Sequence, residues 1–270
     1  MSKQKWRFID SGNKCGPENM AIDDALLQSF DSHSSYPVFR LYGWSPPALS
    51  LGRFQQASEE LDLPICCKNG VPVVRRITGG GVIFHADELT YSIVCASHQI
   101  PASNSIKDSF RVLTGFLLQF YRNLGLNASY ALDSKAKGEN FGERTGFCFA
   151  GKESYDILID GSKIGGNAQR RMKLVIFQHG SIPLIGRLED AMQFLRLPIA
   201  GLEERVTCLS DESIAPDYDF LKARLKDAFC NNLDAELIDE TLTDTEQECA
   251  ARLKSEKYLN ESWNLRGENL

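Results

Sequence analysis

The chain has 270 residues, of which 43% are hydrophobic and 24% are charged, a composition typical of a globular protein with a well-formed core. Lysine and arginine number 30 against 36 for aspartate and glutamate, which gives a formal net charge of -6. This acidic balance argues against DNA or RNA as the main partner, because nucleic-acid binding needs a basic excess. The apolar runs fall far short of the roughly 20 residues that span a bilayer, and "MSKQKWRFID" contains no signal-peptide core, so we expect a cytoplasmic protein.

The first half of the chain predicts two helices separated by short strands. Residues 17–30 place apolar side chains at helical spacing, and Pro17 suits the first helical turn. The strand-like runs that follow are "PVFRLYGW", "ALSLGRF", "VPVVRR", "GVIF" and "LTYSIVCA", which are rich in branched and aromatic residues. Residues 105–124 repeat the helical spacing, and Gly125 suits the position after the helix.

The second half predicts a loop, a hairpin and a further helix. Residues 131–146 are polar and glycine-rich, which predicts a mobile loop that leads to Cys148. "YDILIDGSKIGG" alternates apolar and polar residues around an Asp-Gly pair that favours a tight hairpin, and "LVIFQHGSI" is predicted to extend the same sheet. Thr243 and Glu246 have the spacing of a capping box, which predicts a helix that runs through Leu253.

Runs of strands with a few flanking helices favour an α+β fold over a succession of βαβ units. We interpret residues 1–270 as a single domain, with a core over about residues 5–210 and a helical C-terminal extension over about residues 211–270. No Pro/Gly-rich linker separates the two parts, so the extension is predicted to pack on the core.

The segment from Arg75 to His85, "RRITGGGVIFH", contains three consecutive glycines between strand-like runs. Glycine weakens a strand and loses much entropy on ordering, so three together indicate that a ligand approaches the backbone closely. The loop suits a phosphate or an acyl chain, and it is neither a Walker A loop nor a dinucleotide fingerprint. The histidines have no metal-ligand spacing, so no metal site is predicted, and His85 and His179 taken alone are interpreted as structural residues.

The eight cysteines form no C-x-x-C pair, and most are expected to be small buried apolar residues in a reducing compartment. Cys148 is followed by Lys163 across the predicted hairpin. An ammonium about 4 Å from a sulfur contributes up to roughly 4 kcal/mol, which is enough to lower the pKa of a thiol. Spacing alone leaves open a reactive pair or a structural cysteine with a surface lysine, and it favours the second.

Several motifs in the correct order resemble the lipoate-protein ligase and octanoyltransferase superfamily, which is related to the biotin protein ligases. They are "ENMAIDDALL", "RLYGWSPPALSLGRFQ", "RRITGGGVIFHADELTYS", "GSKIGGNAQRR" and "QHGSI", and "KYLNESWN" is similar to the family's C-terminal segment. The resemblance implies a biotin/lipoate protein ligase catalytic-domain fold, with a mixed β-sheet flanked by helices. It also implies a narrow tunnel for an eight-carbon acyl chain, whose burial supplies about 5 to 6 kcal/mol before ordering costs.

The resemblance is strongest to the cysteine-dependent octanoyltransferases found in Firmicutes, which place a nucleophilic cysteine before the "YDL" strand and a lysine on the next strand. Cys148 and Lys163 match that arrangement. The implied reaction moves an octanoyl or lipoyl group from acyl carrier protein to Cys148 as a thioester. It then passes to a lysine of a lipoyl carrier domain, either the glycine cleavage H protein or a 2-oxoacid dehydrogenase lipoyl domain, without a cofactor. The implied substrate-binding residues are Arg75, Arg76, Thr78, Gly79, Gly80, Gly81, Val82, His85, Gly165, Gly166, Asn167, Ala168 and His179.

Three alternatives remain open within the sequence. A lipoate-protein ligase would activate free lipoate with ATP and Mg²⁺, and Gly81, where many of the transferases carry arginine, is more typical of such a ligase. "GGNA" in place of the commoner "GSA" is a second departure. Against the ligase, we expect the chain to lack the separate accessory domain of the long ligases, although two-part ligases supply that domain in trans. An amidotransferase that relays octanoyl between carrier domains would use the same residues. A non-catalytic carrier-binding protein would need neither Cys148 nor Lys163.

Overall fold

The computed structural model describes residues 3–101, 105–134, 154–197, 201–202 and 205–268, and the structural statements below concern these residues. The α-helices among them are α1 (Gly16–Ser29), α2 (Ala57–Glu60), α3 (Leu63–Lys68), α4 (Ile106–Asn123), α5 (Leu188–Met192), α6 (Tyr218–Leu233), α7 (Asp244–Leu253) and α8 (Glu261–Asn264). The strands are β1 (Gln4–Lys14), β2 (Val38–Trp44), β3 (Ala48–Leu51), β4 (Val73–Arg75), β5 (Ile83–His85), β6 (Glu88–Ala96), β7 (Ala128–Tyr130), β8 (Ile157–Ile159), β9 (Ser162–Ile164), β10 (Gly166–Met172), β11 (Val175–Pro183), β12 (Val206–Thr207) and β13 (Ala235–Asp239). A 3₁₀ turn covers Ser97–Gln99, and a π-helical turn covers Lys254–Tyr258.

The strands form one large mixed sheet and two smaller sheets. The large sheet has the order β10-β11-β6-β2-β1-β13, in which β1 runs parallel to both β2 and β13 and the other pairs are antiparallel. The smaller sheets have the orders β12-β9-β8-β7 and β4-β3-β5. Mixed sheets with flanking helices confirm the predicted α+β class.

The predicted Asp-Gly hairpin is present, but the strand predicted to extend it lies elsewhere. Asp160 and Gly161 have φ angles of 47° and 93°, and they join β8 to β9 as a tight turn in which Ile159 pairs with Ser162. The run "LVIFQHGSI" forms β11, which pairs with β10 and β6 in the large sheet. The prediction was therefore wrong about its sheet, because Gly165, at φ +76°, redirects the chain between β9 and β10.

Helices α1 and α4 contribute to two separate hydrophobic clusters. Helix α4 buries Leu113, Phe116 and Phe120 in the same cluster as residues of the large sheet, including Phe39. Its first turn is capped by the Ser105 hydroxyl, as expected for the predicted helix. Helix α1 packs with α7 and the π-helical turn that follows it, and its buried face includes the acidic side chains of Asp23 and Asp24.

The C-terminal region adds a strand as well as helices. The predicted helix from Thr243 is confirmed as α7, with both hydrogen bonds of its capping box. Arg7 on β1 forms hydrogen bonds of 2.6 and 2.9 Å with the carboxylate of Glu246 on α7. Helix α6 packs on α4, and β13 pairs in parallel with β1, two elements that the sequence reading had not assigned.

Part of the predicted mobile loop, residues 135–146, lies outside the described residues, as does Cys148. Residues 131–134 form a turn after β7. Among the helices of the described segments, none has both the length and the apolar character needed to cross a membrane.

Candidate active site

A narrow cavity lies where α1, β5 and the large sheet meet. The space open to the centre of a water-sized sphere is about 20 Å³, so the cavity is nearly closed in this structure. Its lining residues in the described chain are Met20, Tyr42, Trp44, Arg76, Ile83, His85, Thr90, Gly166, Asn167, Ala168, His179, Gly180 and Ser181. The fold therefore brings six of the predicted substrate-binding residues, from three separate motifs, to one cavity.

The glycine loop, residues 79–81, depends on a close contact between its backbone and Gly52. Gly80 has a φ of 99°, which favours glycine, and its carbonyl oxygen would lie 1.9 Å from a Cβ atom placed on Gly52. Among the described residues, and apart from its two chain neighbours, a Cβ atom on Gly79 would meet no atom within 4 Å. Arg76 holds the loop by donating hydrogen bonds to the carbonyl oxygens of Gly79, at 3.2 Å, and Gly81, at 2.9 Å. Val82, by contrast, is fully buried in a hydrophobic cluster.

A buried hydrogen-bond chain connects Glu88 to this loop. The Glu88 carboxylate accepts from His85 Nδ1 at 2.8 Å and from Ser181 Oγ at 2.6 Å. With its proton on Nδ1, the His85 ring accepts through Nε2 from the Ser50 hydroxyl at 2.6 Å, and Ser50 Oγ accepts from Arg76 Nη1 at 2.6 Å. Glu88 thereby positions both His85 and the arginine that fixes the glycine loop.

The ring of His85 is also held by stacking. The Trp44 ring lies parallel to it at a centroid distance of 3.8 Å, and Trp44 Nε1 donates to Thr90 Oγ1 at 2.8 Å. Thr90 in turn donates to the Glu88 carboxylate in a short hydrogen bond. The wall of the cavity at this point is therefore a fixed aromatic surface backed by a satisfied polar network.

His179 lies on β11 on the other side of the cavity. Its Nε2 is 2.7 Å from Thr78 Oγ1, and its Nδ1 is 3.8 Å from a carboxylate oxygen of Asp23. Burial lowers the pKa of His179, even though the nearby Asp23 carboxylate opposes this effect, so the neutral imidazole is favoured at neutral pH.

Asp23 anchors this second network from α1. It accepts from Arg40 at 2.7 Å, from the Tyr42 hydroxyl at 2.8 Å and from Ser92 Oγ at 2.7 Å. Burial acts to raise the pKa of Asp23, but the Arg40 charge and the His179 contact outweigh it and hold the pKa below its usual value. Asp23 is therefore a buried carboxylate anion that fixes the side chains of Tyr42 and His179, which line the cavity.

The β9–β10 junction supplies the backbone wall of the cavity. A Cβ atom on Gly165, which also has a positive φ, would lie 2.1 Å from the Ser181 carbonyl oxygen. Gly166, Asn167 and Ala168 follow on β10 and line the cavity. Asn167 Oδ1 accepts from the Tyr91 hydroxyl at 2.7 Å, which fixes the orientation of its amide.

Lys163 on β9 is buried and ion-paired. Its Nζ lies 2.7 Å from Oδ2 of Asp156, and each side chain is only 3% exposed. Among the residues whose structure is described, Lys163 does not line the cavity itself. The structure thus places the predicted catalytic lysine in the interior and excludes the surface alternative.

Arg75 points away from the cavity. Its guanidinium donates to the carbonyl oxygens of Trp263 at 2.8 Å, Gln55 at 2.6 Å and Gly52 at 2.9 Å. Trp263 Nε1 donates back to the Arg75 carbonyl oxygen at 3.1 Å. Arg75 therefore connects the base of the glycine loop to α8, and a direct substrate contact for Arg75 stays a prediction.

Four of the described cysteines fit structural roles. Burial raises the pKa of Cys66 to about 11 and that of Cys95 to about 12, so neither thiol is activated. Burial also raises the pKa of Cys208 and of Cys230. Across the parts of the chain that the structure describes, no group of three or more His, Cys, Asp or Glu side chains is arranged to hold a metal ion.

Three buried acids were missed by the sequence reading: Asp23, Glu88 and Asp156. Asp23 did carry a signal in the sequence, because it lies among apolar residues on the face of α1 that is buried. Asp156 directly precedes an apolar strand, which is a weaker signal.

Residues 16–230 match the family described as "Lipoyl protein ligase A/B catalytic domain". The chain belongs to this family. Within it, the chain is 34% identical over 278 residues to "Octanoyltransferase LipM" of Bacillus subtilis (strain 168), which covers 98% of this chain and 100% of that protein. It is 35% identical over 280 residues to "Octanoyltransferase LipM" of Anoxybacillus flavithermus, covering 98% and 100%.

Solved structures of the family share the fold. One is "lipoate-protein ligase A bound with ATP", with a TM-score of 0.80, 25% identity and coverage of 98% of this chain and 99% of that one. Another is the bi-partite lipoate protein ligase of Thermoplasma acidophilum, with a TM-score of 0.81, 25% identity and coverage of 99% and 98%. The family, the fold and the enzyme class predicted from the sequence are confirmed.

Proposed function

We propose that this chain transfers an octanoyl group from acyl carrier protein, through a thioester on Cys148, to a lysine of a lipoyl carrier domain. The observation that carries the proposal is similarity to octanoyltransferases over nearly the full length of both chains. The cavity supports it, because its lining combines apolar side chains, including Met20, Trp44 and Ile83, with the glycine-containing start of β10. The cytoplasmic location and the identity of the carrier proteins belong to the same proposal.

The proposed reaction has two steps in which one bond forms as another breaks. The Cys148 thiolate attacks the carbonyl carbon of the donor thioester, a new C–S bond forms, and the donor thiolate leaves and takes up a proton. The amine of the acceptor lysine then attacks the same carbon, a C–N bond forms, and the Cys148 thiolate leaves while the amine loses a proton. Thioester exchange is nearly isoenergetic and amide formation is downhill, so the two-step reaction needs neither ATP nor a metal.

In this scheme, Lys163 supplies a fixed positive charge. An ammonium beside the sulfur favours the thiolate, and the same charge stabilises the oxyanion that develops on the acyl carbonyl. Arg76 and His85 act differently, because their hydrogen bonds go to the loop and to Glu88. We assign them to shaping the acyl cavity and not to the bond-making steps.

A lipoate-protein ligase is the second candidate, favoured by the likeness to a ligase structure solved with ATP. That reaction would use ATP and Mg²⁺ to form an acyl-adenylate, and Cys148 would play no part. An amidotransferase, which takes octanoyl from one carrier domain and passes it to another, would share the Cys148 thioester. The three candidates therefore differ in the acyl donor and in the need for the thiol.

Intact-protein mass spectrometry tests the proposal. The protein is mixed with octanoyl acyl carrier protein, and we expect one octanoyl mass increment that hydroxylamine removes and that Cys148→Ser abolishes. The matched control is Cys67→Ser, because Cys67 is an exposed free cysteine on α3 and its loss should leave the increment unchanged. An octanoylated carrier domain as donor gives the same increment if the chain is an amidotransferase. ATP-dependent lipoylation that survives Cys148→Ser, without any adduct, would establish the ligase.

A further inference from the structure

Asp156 is a buried carboxylate in direct contact with the predicted catalytic lysine. Its Oδ2 lies 2.7 Å from Lys163 Nζ, a distance typical of a charge-assisted hydrogen bond. Both side chains are 3% exposed, so bulk water does not screen the interaction. The pair is therefore much more strongly coupled than an ion pair on the protein surface.

The backbone fixes both members of the pair. Asp156 immediately precedes β8, and its carbonyl oxygen accepts from the Ala131 N–H at 2.9 Å. Lys163 pairs across the hairpin with Leu158, and its N–H donates to the Arg205 carbonyl oxygen at 2.8 Å. Because the hairpin is held on two sides, the carboxylate and the ammonium meet without either backbone having to move.

Removing one charge from a buried ion pair costs more than the pair contributes, because the other charge is left in a poorly solvated site. A buried ammonium without a carboxylate partner loses its proton more easily than one in water. The Asp156 carboxylate opposes that loss, and it also fixes the direction in which Nζ points. We propose that Asp156 is a positioning residue that holds the Lys163 ammonium in place and keeps it protonated during acyl transfer.

This inference rests on the proposed function, and it defines what Lys163 does there. A lysine that stays protonated cannot accept a proton, so Lys163 is a source of positive charge and not the base that deprotonates the acceptor amine. The proton released by the acceptor amine must therefore leave by another route, such as the departing Cys148 thiolate or solvent. The charge of Lys163 is the same at the start and at the end of each step.

The test follows the rate of octanoyl-thioester formation from pH 6 to pH 9.5 in the wild type and in Asp156→Asn. We expect the alkaline limb of the profile to move down by at least about one pH unit in Asp156→Asn, because the lysine loses its proton sooner. Where the pH lies above both apparent pKa values, a shift of one unit corresponds to a tenfold loss in rate, whereas at pH 6 the loss is smaller. A purely structural role for Asp156 would lower the rate by the same factor at every pH.

The matched control is Asp160→Asn in the turn of the same hairpin. Asp160 is exposed and has a φ of 47°, a conformation that asparagine tolerates well. Its profile should superimpose on that of the wild type. Asp156→Glu keeps the charge on a longer side chain, and we expect it to lower the rate while leaving the alkaline limb in place.

Three outcomes overturn the inference: an unchanged profile in Asp156→Asn, a uniform loss at all pH values, or a downward shift in Asp156→Glu equal to that in Asp156→Asn. If Asp156→Asn does not fold, as judged by its melting curve, Asp156→Glu alone decides between a retained and a shifted limb. A wild type that forms no thioester at any pH refutes the proposed function instead, so the two failures are distinguishable.

Discussion

Gly52→Ala is expected to damage the glycine loop from a position outside it. The new Cβ atom would lie 1.9 Å from the Gly80 carbonyl oxygen and 2.9 Å from the Gly80 carbonyl carbon. These are backbone atoms and cannot rotate away, so one of the two segments must move by about 1 Å or more to restore normal contact. Overpacking of this kind costs about 1 to 3 kcal/mol, which lowers the Tm by roughly 2 to 5 °C for a chain of this size.

The effect on activity should exceed the effect on stability. A displacement of about 1 Å in a positioning segment lowers a rate by about 10²-fold, because the reacting groups no longer meet in the productive geometry. The assay is the initial rate of octanoyl transfer at a temperature well below the Tm of the variant. Gly186→Ala is the control, because its Cβ atom would meet Cys208 Sγ at an ordinary 3.5 Å, and both Tm and rate should stay near those of the wild type.

A wild-type rate and Tm in Gly52→Ala would contradict this expectation, since the loop would then yield to the added methyl group at no cost. A reduced Tm with an unchanged rate would show that the loop is tightly packed but does not position the substrate. The combination of a small loss in Tm and a large loss in rate is the expected result.

Three further predictions use the same structure. Gly79→Ala should leave Tm within about 1 °C of the wild type, because no atom of the described residues other than its chain neighbours lies within 4 Å of the new Cβ atom. A raised KM for the octanoyl donor in this variant would place substrate beside Gly79. Because burial lowers the pKa of His179 below its usual 6.5, the unfolding free energy should fall as the pH drops below about 6.5. Denaturant titrations should show that the unfolding free energy of His179→Gln depends less on pH. Glu246→Gln should lower the free energy of unfolding by about 2 kcal/mol, because it replaces a largely buried charged hydrogen bond to Arg7. Glu240→Gln should lower it less in the same denaturant titration, because the Glu240 side chain is 38% exposed.

Local sequence signals were sufficient for the elements that depend on near neighbours. The capping box at Thr243, the Asp-Gly turn and the apolar spacing of α1 and α4 each predicted an element that the structure contains. These signals involve residues within a turn or two of each other, so no knowledge of the tertiary fold is needed to interpret them.

The remaining elements depend on partners far away in the sequence. Strand β13 is ordered by pairing with β1, where Gln4 lies beside Ala235, and no short window of sequence contains that information. Helix α6 is an exception among these elements, because it carried a local signal that was not recognised: Leu221, Leu225 and Phe229 recur at helical spacing and are fully buried. Strand β11 was recognised as a strand but given the wrong neighbours, since its composition does not specify its sheet.

The candidate site shows the same difference between residues found from local motifs and residues whose partners are distant in the sequence. Motifs identified the glycine loop, Lys163 and both cavity histidines, because these residues are close together within short segments. The carboxylates that hold them were missed, because Asp23 reaches His179 across 156 positions of sequence, and Asp156 takes on its meaning only through the hairpin fold. Whether Cys148 approaches Lys163 stays a prediction, since Cys148 lies outside the described residues.

The hydrogen bonds between Arg75 and α8 have a consequence for the order of folding. They connect residues 188 positions apart, and closing so long a loop is slow compared with forming a local helix or hairpin. We therefore expect the base of the glycine loop to be completed late in folding. After dilution from denaturant, helical signal should return before the protein regains the ability to carry an acyl group, and the interval between the two events measures the docking of residues 254–268 onto the loop.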